Sequence, residues 1–189
     1  NPAAGYWEAE PEPIRIRQLV QNVLAETPGV RVSSSRVKSV MEVLQTQVFI
    51  PNNQWDTNDN LLACTNGTYN FETNRLEPHR MENYLSSGVN QPYDPHAPHE
   101  MLDKVIGRLE PEVQAFLQEF AGYCLTTDTH HDMAVVLMGP RGSGKSTFIE
   151  LQLAAYGPLA AVFGLEDLED SAFGLAHLVG KRVAMATEG

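Results

Sequence analysis

One nine-residue stretch constrains this chain more than any other part of its sequence. Residues 139–147 read GPRGSGKST and satisfy the pattern G-x-x-x-x-G-K-[ST]. A continuous apolar run, residues 134–138, precedes the motif, and a run with helix-forming composition, residues 148–155, follows it. The sequence therefore predicts a strand buried on both faces, then a glycine-rich turn, then a helix, which is the setting in which such a turn binds phosphate.

The residue types in the motif explain why it is expected to bind phosphate. Glycine lets the main chain turn so that successive N–H groups point at one anion, and the start of a helix adds free N–H groups and the positive end of the helix dipole. We expect the phosphates of a nucleotide to be bound by Gly139, Pro140, Arg141, Gly142, Ser143, Gly144, Lys145, Ser146 and Thr147. Lys145 is expected to reach the β- and γ-phosphates, and the Ser146 hydroxyl to ligate Mg²⁺.

A second short apolar run, residues 183–186, is followed closely by a single carboxylate, Glu188. Because the carboxyl ends of parallel strands share one edge of a sheet, Glu188 is expected to face the region of Lys145. It would act there as a metal-linked acid or as a general base. The commonest form of this motif ends in two acids, whereas here Thr187 precedes the glutamate, so the sequence leaves both roles open.

The part of the chain before the motif has a different character. Apolar stripes at helical spacing begin near residues 16, 37, 102 and 113 and are typical of core-facing helices. Between the second and third stripes, Asn66-Gly67 separates two strand-like runs and predicts a tight hairpin. We therefore predict an α/β fold, with a mainly helical N-terminal domain that carries a short hairpin, followed by the first half of a parallel-sheet P-loop core. The predicted boundaries are a linker-like entry over 1–12, a helical domain over 13–128 and a partial core over 129–189.

Composition narrows the function classes further. The formal net charge is −11, so bulk electrostatic attraction to nucleic acid is not expected. The apolar runs fall short of the roughly 20 residues that span a bilayer, and no signal peptide opens the chain, so no membrane partner is expected. The two cysteines, Cys64 and Cys124, lack metal-ligand spacing. We expect a cytoplasmic protein with reduced thiols.

Several segments, in order, resemble elements of the superfamily 3 helicase region of phage and plasmid primase-helicases, together with the helical domain that precedes it in poxvirus-like and prophage relatives. They are LLACTNGTYNFETNRLEPH (61–79), YDPHAP (93–98), FAGYCLTTD (120–128), the motif at 139–147 and LVGKRVAMATEG (178–189). Thr127 stands where the family usually has glycine. The resemblance covers the chain from about residue 13 onward.

The resemblance implies an AAA+-like ATPase that uses ATP and Mg²⁺, assembles into a homo-oligomeric ring, usually a hexamer, and moves along single-stranded DNA during replication. By their positions in the matching motifs, the resemblance implies a catalytic role for Lys145 and Glu188. It also implies that Ser146 and Glu188 bind the metal ion. The full-length protein would then be an ATP-dependent DNA helicase, with a primase domain upstream in many relatives. In the family, the DNA-contacting hairpin, the sensor asparagine and the arginine finger come after the strand near Glu188. We therefore expect the 189-residue chain alone to bind nucleotide weakly and hydrolyse it poorly.

Two other functions fit parts of the pattern. A small-molecule or nucleoside kinase shares the phosphate loop, but it needs substrate-binding arginines and a lid after the loop, where the sequence offers only Lys181 and Arg182. Alternatively, the residues before about position 125 form a non-enzymatic oligomerisation or recruitment collar, and the loop has only a structural role.

Overall fold

A computed structural model describes residues 4–8, 13–164, 166 and 175–186 of the chain. Contacts divide the chain into two compact units: unit 1 comprises Asn1–Trp7 and Asp56–Gly189, and unit 2 comprises Glu8–Trp55. The described residues form helices and small sheets together, which agrees with the predicted α/β class. The predicted domains 13–128 and 129–189 stay predictions, since compactness alone does not mark a functional domain.

Unit 2 is built on two helices, α1 (Ile14–Glu26) and α2 (Ser34–Gln47), and ends with a 3-10 turn at Asn52–Gln54. The Ser33 hydroxyl accepts the N–H of Arg36 and caps α2. The two predicted stripes meet in a small core of Val20, Val37 and Met41, with Leu24, Val40 and Leu44 packed around it.

The apolar stripe of α1 is wider than the surface that this core covers. Leu19 and Val23 belong to the same predicted stripe as Val20, yet they remain 63% and 62% exposed. A single partner helix covers a narrow strip of α1, so the sequence pattern overstates how much of the helix is buried.

Unit 1 contains an antiparallel sheet of β1 (Leu61–Cys64), β2 (Gly67–Asn70) and β3 (Arg75–Glu77), in that order. Cys64 pairs with Gly67, so the predicted hairpin is confirmed, but its two turn residues are Thr65 and Asn66 rather than Asn66 and Gly67, because Gly67 already pairs within β2. Glycine is required at position 67 because a Cβ there would lie 2.7 Å from the carbonyl oxygen of Glu77. The same three-stranded sheet carries much of the segment at 61–79.

The turn of this hairpin holds a distant part of the chain. The Asn66 Nδ2 donates to the Tyr93 carbonyl at 2.9 Å, and the Tyr93 N–H donates to Asn66 Oδ1 at 2.8 Å. The rings of Tyr69 and Tyr93 also lie 4.3 Å apart between centroids. The segments 61–79 and 93–98, read separately in the sequence, therefore form one structural feature.

The remaining elements of unit 1 are α3 (Glu100–Ile106), α4 (Pro111–Tyr123), α5 (Lys145–Tyr156), β4 (Ala160–Phe163) and β5 (Val183–Ala186), with 3-10 turns at Met81–Asn83, Gly157–Leu159 and Ala176–Leu178. Strands β4 and β5 pair in parallel. One buried cluster joins α4, α5, β4 and β5 to the hairpin; its members are Leu62, Cys64, Val89, Cys124, Tyr156 and Leu159. The hairpin, the end of α4 and the end of α5 therefore share a single core.

The predicted strand at 134–138 is wrong for this structure. Within the described residues that segment forms no strand, and Val136 and Met138 are 78% and 89% exposed. A strand needs a neighbour to satisfy its backbone hydrogen bonds, and among the described strands β4 and β5 pair with each other rather than with this segment. Its apolar composition indicates a preference for burial, but composition cannot supply the partner.

None of the helices in the described part of the chain combines the length and the apolar character that a bilayer-spanning segment requires.

Gly122 offers a test of the packing around α4. A Cβ at this helical position would meet no atom within 4 Å. We expect Gly122→Ala to raise the free energy of unfolding by about 0.5–1 kcal/mol, because alanine loses less backbone entropy in a helix, and the melting temperature by about 1–4 °C. Gly107→Ala is the control, since its Cβ would lie 2.3 Å from the Asp103 carbonyl oxygen. Calorimetry would contradict this packing if Gly122→Ala left the melting temperature unchanged, or if both substitutions raised it.

Candidate nucleotide-phosphate site

The motif at 139–147 folds as a turn that leads directly into α5. Helix α5 begins at Lys145, and Gly144 at its N-cap has a φ of 90°. Gly142 has a φ of 78°. A Cβ at Gly142 or Gly144 would meet nothing within 4 Å, so these glycines are required for their backbone conformation rather than for space. The turning of the main chain that the sequence predicts is therefore present.

The start of α5 presents backbone donors. The N–H of Phe148 donates to the Gly144 carbonyl at 2.9 Å, which is the first hydrogen bond of the helix. The N–H groups of Lys145, Ser146 and Thr147 belong to the first turn, where helix geometry provides no carbonyl acceptor. The helix dipole places partial positive charge at the same end. This combination of donors and field suits an anion such as phosphate.

The Lys145 side chain folds back across the turn. Its Nζ donates to the carbonyl oxygens of Gly139 at 2.8 Å and Pro140 at 3.1 Å, and lies 3.4 Å from Ser143 Oγ. These contacts hold the ammonium group beside the first residues of the turn. A positive charge and the backbone donors of α5 are thus brought to one small region of the surface.

The other predicted site residues divide into two groups. Arg141, Ser146 and Thr147 are exposed on the same turn and helix start, so the structure brings them together with Lys145. Glu188 lies outside the described residues, as does Thr187. Strand β5 ends at Ala186, two residues before the glutamate. The predicted approach of Glu188 to Lys145 stays a prediction.

A cavity of about 270 Å³ lies elsewhere in unit 1, against the C-terminal half of α5. Its walls include Gln152, Ala155 and Tyr156 of α5 together with residues of the hairpin and α4, but none from 139–147. Apolar side chains dominate the lining. The cavity is therefore separate from the candidate phosphate site and lacks the charged donors that a phosphate requires.

Arg182 has a structural role that its sequence context does not predict. Its backbone N–H donates to the Leu159 carbonyl at 2.8 Å, and its Nη1 donates to the Leu125 carbonyl just after α4. Burial lowers the pKa of the guanidinium, and the nearby charges of Asp56 and Asp59 act in the opposite direction. The arginine thus joins the start of β5 to the end of α4. In the sequence, the segments 120–128 and 178–189 are linked only by their resemblance to elements of the same family.

Asp128 and His130 form an ion pair in the segment between α4 and the motif. The backbone N–H of His130 donates to Asp128 Oδ1 at 2.9 Å, and its imidazole Nδ1 bonds the same oxygen. These two bonds, the backbone bond first, lower the pKa of the Asp128 carboxyl. The carboxylate in turn raises the pKa of His130. Both side chains are solvent-accessible, so the pair is a local feature of the segment rather than part of the phosphate site.

The ion pair makes the charge of His130 testable by NMR titration. Because the folded-state pKa is raised, the pair stabilises the fold fully below the unfolded-state pKa, and this contribution is lost as pH rises through the folded-state pKa. We expect His130 to titrate above the ordinary histidine value, and Asp128→Asn to lower its pKa. Asp132→Asn, which removes a neighbouring acid outside the pair, is the control. Equal effects of the two substitutions would show that Asp128 has no specific influence.

Similarity to one protein family bears on the function of this chain. The family model described as D5 N terminal like matches residues 3–122. The match spans more than half of the chain and takes in α1, α2, the three-stranded sheet, α3 and nearly all of α4. It ends before the motif at 139–147. No curated protein matches the chain.

Proposed function

The chain belongs to the D5 N-terminal-like family, and so to the phage and prophage primase-helicases of DNA replication, and from this membership we propose that it is the ATP-binding part of a superfamily 3 DNA helicase. In this proposal the turn at 139–147 binds ATP with Mg²⁺. The full-length protein couples hydrolysis to movement along single-stranded DNA as a ring of identical subunits, usually a hexamer.

One observation carries the proposal: the turn and the start of α5 place several phosphate-binding groups together. Gly142 and Gly144 adopt positive φ, the first-turn N–H groups of α5 lack helical acceptors, and Lys145 Nζ lies 2.8 Å from the Gly139 carbonyl oxygen. Backbone donors that are fixed before binding require little reorganisation when the anion arrives. A charged lysine beside them supplies the charge-assisted bonds that strengthen phosphate binding.

The residues at the helix start also fit a magnesium ion in part. The Ser146 hydroxyl is exposed on the first turn of α5, immediately after Lys145. Magnesium prefers oxygen ligands and commonly combines one or two protein oxygens with phosphate oxygens and water. Ser146 would supply a hydroxyl oxygen, and Glu188 is proposed as a metal-linked acid or as the general base.

The electrostatics of the whole chain make these local groups important. The chain has a formal net charge of −11, which repels a nucleoside triphosphate at long range. Magnesium lowers the charge of the ligand, and the donors of α5 act at short distance where salt screens them less. Binding in this proposal therefore depends on the local site, and single-stranded DNA would contact basic groups elsewhere in the full-length protein.

The proposal predicts a specific role for one lysine charge. We expect Lys145→Ala to weaken binding of ATP with Mg²⁺ at least about tenfold, because a charge-assisted hydrogen bond contributes about 1.5–3 kcal/mol. The helices and sheets should be unchanged, since the contacts of Lys145 Nζ go to Gly139, Pro140 and Ser143 of the surface turn itself. Isothermal titration calorimetry and circular dichroism measure the two effects.

Lys38→Ala is the matched control for this substitution. Lys38 is an exposed lysine of α2, and its Nζ lies 4.0 Å from Glu42 Oε1. Unit 2, to which it belongs, contains no part of the turn. Its removal changes the net charge by the same amount and should leave ATP affinity unchanged. An unchanged affinity in Lys145→Ala, or an equal loss in both variants, would refute the proposed site and favour the interpretation of the chain as a non-enzymatic collar.

A further inference from the structure

The two residues of unit 1 that flank unit 2 in the chain, Trp7 and Asp56, bond to neighbouring residues. The N–H of Trp7, the last residue before unit 2, donates to the Leu85 carbonyl at 2.8 Å. The N–H of Asp56, the first residue after it, donates to the Tyr84 carbonyl at 3.1 Å. Neighbouring Cα atoms are about 3.8 Å apart and each hydrogen bond spans about 3 Å, so the two ends lie on the order of 10 Å apart or closer.

The residues at this point have unusual backbone conformations. Asp56 and Tyr84 have φ angles of 50° and 46°, and among the described residues the only other non-glycine with positive φ is Asn74, in the turn between β2 and β3. Such conformations cost of order 1–3 kcal/mol each and persist where surrounding contacts enforce them. Here the Asp56 carboxylate accepts both the N–H and the hydroxyl of Ser86.

The residues before unit 2 are as firmly part of unit 1 as those after it. The Trp7 indole Nε1 donates to the Met81 carbonyl at 3.2 Å. Tyr6 packs against a buried cluster of Leu61, Ala63 and Leu85. Residues 4–7 thus belong to unit 1, and the chain returns to unit 1 at Asp56, close to Trp7.

Each unit has its own core. Val20, Val37 and Met41 of unit 2 form one buried cluster, and every member of it comes from α1 or α2. The large cluster of unit 1 draws all of its buried members from residues 62–159. A separate core and neighbouring ends are the features that allow one domain to be inserted into another without disturbing its host.

We infer that residues 8–55 are a separately folding unit, inserted into the chain of unit 1 between Trp7 and Asp56. Unit 1 keeps its fold, including the turn at 139–147, when residues 8–55 unfold or are removed. The family match at 3–122 therefore joins parts of two folding units: all of the insertion, and a part of unit 1 that shares its core with α5. The inference concerns folding alone and does not depend on what the turn binds.

Two buried valines provide a matched test in the intact chain. Val37 is 4% exposed in the core of unit 2, and Val89 is 7% exposed in the core of unit 1. Removing two buried methyl groups should lower hydrogen-exchange protection about tenfold within the affected folding unit. We expect Val37→Ala to lower it in α1 and α2 only, and Val89→Ala only in elements of unit 1, among them β1, β2, α4 and α5. Equal loss in both units from either substitution would overturn the inference.

A deletion tests the inference independently. Residues 8–55 are replaced by a four-residue Gly-Ser linker, which can span the roughly 10 Å between the ends because an extended residue covers about 3.5 Å. We expect a cooperative unfolding transition, and hydrogen-exchange protection in the hairpin and α5 within about twofold of the intact chain. An excised chain that lacks cooperative unfolding, or that loses protection in the hairpin, would contradict separate folding.

Discussion

Burial of Tyr156 is the interaction on which the rest of unit 1 depends. This residue ends α5, is only 3% exposed, and donates its hydroxyl to the Ala121 carbonyl of α4 at 3.1 Å. Burial raises the pKa of Tyr156 well above its ordinary value, so the hydroxyl stays protonated and remains a donor. Leu159, fully buried three residues later, continues the same core into β4. One end of α5 is therefore fixed by packing.

The opposite end of α5 is exposed, and this asymmetry suits the proposed function. The turn at 139–147 lies at the surface, where a nucleotide can reach the first-turn N–H groups and Lys145. The buried base of the helix keeps those donors in a fixed direction, and Arg182 ties the start of β5 to the end of α4. The family-type hairpin and α4 thus support the candidate site, although the family match ends before it.

The sequence predicted those features that local residue types determine. The two strand-like runs around residue 66 predict the hairpin, although its turn is one residue earlier than Asn66-Gly67, the helical stripes predict α1 to α4, and the motif predicts the positive φ of Gly142 and Gly144. Features that depend on distant partners were not predictable. The pair of hydrogen bonds between Asn66 and Tyr93 joins residues 27 positions apart. The insertion of residues 8–55 is visible only through the hydrogen bonds of Trp7 and Asp56 to the carbonyls of Leu85 and Tyr84.

The dependence on distant partners also explains why the predicted strand at 134–138 is wrong and why the position of Glu188 stays a prediction. Residues 134–138 have the apolar composition of a buried strand, but pairing requires a neighbour that composition does not specify. The loop needs only its own glycines and the helix that follows it, so its local conformation was predictable. Glu188 depends on where a second strand places it relative to Lys145, which no local pattern determines.

In the proposed function, the backbone donors at the start of α5 bind the phosphates of ATP. An amide NMR titration of the chain with ATP and Mg²⁺ measures this binding residue by residue. We expect the largest chemical-shift changes at residues 142–147, above all at the N–H groups of Lys145, Ser146 and Thr147. Shift changes concentrated instead on the apolar cavity around Gln152 and Ala155, or no changes at saturating nucleotide, would contradict it.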